Sequence, residues 1–168
     1  GTKNASAAVE LQRTSATTNE YKPAAQGKYL AFIDERDGTA QLYAYDVSLK
    51  TEKRLIGIAD PNSIVGPLFA GDYLVWAASA GTATNINAVY VPSGESTVFV
   101  STGLKLIGLA ATSEFLYYTL ENDKGVSDVY EFKLSTRTER RLTNDDAYQS
   151  APSAAGPMAV WTETAVKL

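Results

Sequence analysis

A repeating register of about 43 residues constrains this 168-residue chain more than any other feature. Tyr29, Tyr73, Phe115 and Met158 each open a short apolar run, and they stand 44, 42 and 43 positions apart. Three positions on come Phe32, Trp76, Tyr118 and Trp161. Two positions before the run stand Gly27, Gly71, Ser113 and Gly156, and six before stand Pro23, Pro67, Leu109 and Pro152. The register persists downstream in Gly38, Gly81 and Gly125, each suited to a turn that needs a positive φ. Alternating segments then open at Leu42, Ile86 and Val129, in "LYAYDV", "INAVYV" and "VYEFKL". Charged or polar segments close each unit: "TEKRLI", "STVFV" and "TERRLT", with Leu55, Phe99 and Leu142 as apolar anchors. An ordinary sandwich predicts turn signals roughly every 8–12 residues but no fixed longer register.

Each unit therefore holds four short strand candidates: a Pro-containing strand a, an aromatic strand b, an alternating strand c and a basic strand d. The alternation has period 2, and no 3.6-residue period competes with it. Four strands in about 40–45 residues is the signature of a β-propeller blade. The fold expected is all-β, an array of four-stranded antiparallel blades with three full blades and part of a fourth, incomplete or open. The expected division of the single domain 1–168 is a lone outer strand at 7–15, blades at 19–57, 63–101 and 105–144, and a partial blade at 148–168. Leu11 opens no full unit but falls in the d register. Phe32, Trp76, Tyr118 and Trp161 are expected to fill the space between blades. Lys53-Arg54 and Arg140-Arg141 suit an outer rim strand that must not recruit another strand.

Composition narrows the chemistry. The chain has no histidine and no cysteine, which excludes Ser-His-Asp and Cys-His catalysis, disulfides and the usual zinc sites within it. The net charge of −4 gives no support for nucleic-acid binding. No apolar run approaches the ~20 residues of a membrane-spanning helix. No signal peptide is read in the sequence, and Gly1-Thr2 is compatible with an expression remnant, which leaves room for an upstream signal or anchor. No cofactor is implied.

The stretches at 22–55 and 116–152 resemble the TolB-type, WD-like propeller repeats of bacteria. The Pro, the Gly before strand b, the Asp37-Gly38 turn and Arg141-Leu142-Thr143 carry the resemblance. The family's Ser-Pro-Asp-Gly element is replaced by "AAQG", "LFAG", "AATS" and "SAAG", and the second unit diverges in strands c and d. The resemblance implies architecture and an extracytoplasmic setting, periplasmic or cell-surface. Such propellers serve many roles.

In a propeller the b–c and d–a connections emerge on one face. Here they collect Asp34, Glu35, Asp37, Asp60, Glu121, Asp123, Asp145 and Asp146 against Arg36 and Lys124, so that face is expected to be acidic. Asp34, Arg36, Asp37, Asp60, Asn62, Asp145, Asp146 and Tyr148 are the expected partner contacts. Asp, Asn and Gly are also what tight turns require, and "DERDG" lacks the ligand spacing of a calcium loop, so no metal site is assigned. Tyr148 fits either a surface contact or the core. Paired carboxylates suit glycoside hydrolysis, but nothing singles out a pair. The expected function is a non-catalytic binding or scaffold module engaging a protein or peptide through this face, with self-association covering open blade faces. The alternatives are the propeller portion of a larger enzyme, such as a propeller-bearing peptidase, and a membrane-tethered ligand or glycan sensor.

Overall fold

The structure, a computed structural model, describes residues 19–80 and 83–165. The expected outer strand at 7–15 and Gly81 lie outside the described residues. Among the described residues every regular element is a β-strand. The first sheet runs β1 (Glu20–Gln26), β2 (Tyr29–Asp34), β3 (Gln41–Asp46) and β4 (Thr51–Gly57), each antiparallel to the next. The second repeats this order with β5 (Ile64–Ala70), β6 (Tyr73–Ala80), β7 (Ala83–Tyr90) and β8 (Glu95–Thr102). The third is β9 (Lys105–Ala111), β10 (Phe115–Glu121), β11 (Ser127–Lys133) and the short β12 (Thr138–Arg141). The antiparallel pair β13 (Ala147–Ala155) and β14 (Met158–Ala165) follows. It joins the third sheet through one parallel bridge, Ser127 with Tyr148. Among the described residues the architecture is an open, incomplete β-propeller of three full blades and part of a fourth.

The repeated residues have distinct backbone tasks. Gly27, Gly71 and Gly156 open two-residue a–b turns at φ 57°, 59° and 55°, conformations that a side chain resists. Ser113 breaks the pattern because blade three solves the turn differently. There the Thr112 hydroxyl accepts hydrogen bonds from the backbone N–H of Glu114 and Phe115, at 3.3 and 3.0 Å. Pro23, Pro67 and Pro152 mark breaks in the a–b register, between Tyr21 and Ala24, Val65 and Leu68, and Ser150 and Ser153. A bulge is where a residue without an N–H costs the ladder nothing.

The blades stack through two apolar layers. Ala31, Ile33, Leu42 and Ala44 of the first blade meet Phe69, Leu74, Trp76 and Val89 of the second. Val75, Ala77, Ile86 and Ala88, on the other face of the second blade, meet Leu116, Tyr118, Leu120 and Phe132 of the third. Strand alternation makes each middle blade apolar on both faces. Trp76 and Tyr118 thus lie in the layers between blades, as expected. Phe32 is buried, but strand alternation turns it to the face of blade one opposite Ala31 and Ile33, away from blade two. Trp161 corrects the expectation of a filled interblade space, since it is only half-buried: its blade is a hairpin and covers less of it. The rim strand β12 is exposed throughout, and β4 is exposed from Thr51 to Arg54.

Candidate functional site

Antiparallel pairing in the order a-b-c-d puts the b–c and d–a connections at one end of every blade. In blade one this end is a closed network. The Asp34 carboxylate is fully buried. Arg36 folds back over it: its backbone N–H donates to Oδ1 and its Nε to Oδ2, both at 2.7 Å. The same guanidinium donates to Glu52 Oε1 at 2.6 Å and lies 4.5 Å from the Tyr43 ring centroid. These carboxylates push the Arg36 pKa up, the bond to Asp34 contributing most. The Tyr43 hydroxyl donates to Asp37 at 2.8 Å, and burial followed by that bond raises its pKa. The Tyr21 hydroxyl donates to Glu35 at 2.7 Å, and burial, then the bond to Glu35, pushes it up to about 12.

The remaining candidates sit in the d–a connections. Asp60 is exposed and shapes its own turn, its Oδ1 accepting from the Asn62 backbone N–H at 3.0 Å; Asn62 is exposed. Asp145 and Asp146 are exposed and Tyr148 is half-buried at the start of β13. Asp145 Oδ1 accepts from the Ala147 N–H at 2.9 Å and from Gln149 Nε2 at 3.1 Å. Gln149, itself fully buried, also donates to Glu163 at 3.2 Å. Nearby, Arg141 and Thr143 both donate to the buried Asp128. The structure therefore places Asp34 alone of these carboxylates out of solvent, under Arg36, while Asp37, Asp60 and Asp145 are exposed and hydrogen-bonded in or beside their own loops and Asn62 and Asp146 are exposed. Gln149 and Glu163, which tie the 145 loop to β14, were not singled out by the sequence. Their only signal is the pairing of positions 149 and 163 across the hairpin. Among the described residues no group of three or more His, Cys, Asp or Glu is placed to hold a metal ion.

No family model and no curated protein matches this chain. Solved structures do. TolB from Acinetobacter baumannii is similar over 84% of this chain and 36% of its own, at 14% identity and a TM-score of 0.54. The fold is that of the TolB-like β-propellers. The β-propeller domain of the Trilobed protease from Pyrococcus furiosus, described as having an open velcro topology, matches 88% of this chain and 54% of its own at 9% identity and a TM-score of 0.53. A prolyl endopeptidase matches 88% of this chain and 26% of its own at 15% identity and a TM-score of 0.66. The chain thus spans between about a quarter and about half the length of these propeller proteins. At such identities the likeness carries the TolB-like architecture and not an activity, since one propeller scaffold occurs beside peptidase chemistry and apart from it.

Proposed function

We propose that the chain is a non-catalytic binding module that engages a protein or peptide through the face formed by its b–c and d–a loops. The observation that carries this reading is the exposure of Asp60 and Asn62, in the connection from blade one to blade two, and of Asp145 and Asp146, in the connection from blade three to the fourth hairpin, at the same end of the blades. Asp34, Arg36 and Asp37 serve the same face by holding the 34–38 loop in one conformation, which lowers the ordering cost of binding. Tyr148 adds a half-buried ring beside the acidic pair. The partner this face suits is basic, because charge complementarity governs encounter and orientation. Two parts of the same reading concern setting and assembly: an extracytoplasmic location, and self-association through β14, where Met158 and Val160 are 67% and 64% exposed.

Calorimetric titration with a lysine-rich dodecapeptide tests the loop face. The triple variant Asp60→Asn, Asp145→Asn, Asp146→Asn keeps the side-chain acceptors of the turns while removing three charges. It is expected to weaken binding by at least about tenfold at low salt. Equal affinity of the variant and the parent chain would contradict the proposal.

A further inference from the structure

The opposite face of the array, formed by the a–b and c–d turns, carries a cleft between blades two and three. Its cavity of about 540 Å³ is lined in part by Asp72, Tyr73, Tyr90, Glu114 and Arg137. An adjoining hollow of about 340 Å³ shares Tyr73, Tyr90 and Arg137 and adds Glu95. The floor is closely built. A Cβ on Gly71, which stands at φ +59°, would lie 2.9 Å from the Ser113 carbonyl oxygen, so the two a–b turns meet backbone to backbone. The Gln26 side chain donates to the Gly71 carbonyl at 3.0 Å from the other side.

Two properties of this cleft point to a ligand. The first is an aromatic wall: Tyr73 lies 5.2 Å from Tyr90 and 5.1 Å from Phe99, ring centroid to ring centroid. The guanidinium of Arg137 already sits 5.9 Å from the Phe99 centroid, so one cation of the chain itself uses part of this wall. The second is uncompensated charge. Asp72, Glu95 and Glu114 make no side-chain hydrogen bond or ion pair among the described residues. By contrast Asp34, Asp46, Glu52, Glu121, Asp128 and Glu131 each sit in an ion pair. Three carboxylates, set against Arg137 and the Lys53 ammonium beside the Gly94 turn, give the cleft a net negative mouth over the accessible edges of half-buried tyrosine rings.

We infer that this cleft receives a lysine or arginine side chain of a peptide partner, stacked on Tyr73 and Tyr90 and paired with Asp72, Glu95 and Glu114. Aromatic faces and carboxylates together favour a cation over a neutral or acidic group. The site is independent of the loop face, which lies at the other end of the blades.

The experiment is an amide-resolved NMR titration of the chain with four capped tripeptides, Ac-Gly-X-Gly-NH2, with X as arginine, lysine, citrulline or glutamate. The arginine and lysine peptides are expected to shift the amides of Gly71, Tyr73, Tyr90 and Ser113, with Kd on the order of 1 mM. Raising the salt from low to roughly physiological strength should weaken them several-fold. The exposed double substitution Asp72→Asn with Glu114→Gln should weaken binding by about fivefold or more while leaving distant amides in place. Equal binding of the citrulline peptide, preference for glutamate, no binding, or shifts confined to residues 34–37, 60–62 and 144–148 would each overturn the inference. The last of these would still leave the loop-face proposal standing.

Discussion

Truncating Trp76 to alanine removes a ring that is 6% exposed and belongs to the layer between blades one and two. A large aromatic side chain buries about 150–250 Å². At about 25 cal/mol per Å² this corresponds to roughly 4–6 kcal/mol as an upper bound. Measured truncations of buried rings cost about 3–5 kcal/mol once partial relaxation is included. Trp161 holds the same repeat position but is half-buried, so Trp161→Ala should cost about half as much, roughly 1.5–2.5 kcal/mol. Urea unfolding followed by far-ultraviolet circular dichroism measures both, because it needs no tryptophan signal. With a slope of about 1–3 kcal/mol per molar, Trp76→Ala lowers the midpoint by about 1 M or more. Trp76→Phe, which keeps a ring in the layer, should fall between the parent and the alanine variant. Blades of an open array touch only their neighbours. Weakening the first interface should therefore also make blade one unfold ahead of the others, separating the near- and far-ultraviolet transitions. A loss under ~1 kcal/mol for Trp76→Ala, or a loss for Trp161→Ala that equals or exceeds it, would refute the placement of these rings.

Three further outcomes follow from particular residues. A Cβ on Gly108 would fall 2.5 Å from Cδ of Pro152, so Gly108→Ala should cost about 1–3 kcal/mol in urea unfolding and raise amide exchange in β13 and β14; unchanged exchange there would contradict the packing. Lys50 and Arg137 occupy the c–d turn position of Gly94, at φ 56° and 54° against 83°, so Lys50→Gly should raise stability by about 0.5–1 kcal/mol, the relief of left-handed strain exceeding the added unfolded-state entropy; a lower urea midpoint would count against it. Lys28, at 2.8 Å, holds the Asp46 carboxyl below the usual carboxylate range, helped by the backbone N–H groups of Ser48 and Leu49; this stabilisation is present above the unfolded-state pKa and is lost as the pH falls through the lower folded-state value, so Asp46→Asn should flatten the acid limb of the stability–pH curve, and an unaltered limb would refute the linkage.

The repeat was legible because backbone geometry imposes it. A two-residue a–b turn at positive φ calls for Gly27, Gly71 and Gly156, and a bulged inner strand tolerates Pro23, Pro67 and Pro152. Ser113 was legible only as an exception, since its turn is carried by the preceding threonine. The c–d turns at Lys50 and Arg137 left no glycine to read. The candidate site was legible as composition and not as geometry. Nothing local tells that Arg36 reaches Glu52 on another strand, or that Asp34 is sealed while Asp146 is not. The cleft at Tyr73 and Glu114 depends on two blades meeting, so no single stretch of sequence contains it.

The most direct test of the account is an amide-resolved map of the lysine-rich dodecapeptide on the isotopically labelled chain. Binding through the loop face predicts the largest shifts at residues 60–63 and 144–148, lost in the Asp60→Asn, Asp145→Asn, Asp146→Asn variant. Shifts spread evenly over the surface, or none at these loops at saturating peptide, would contradict it.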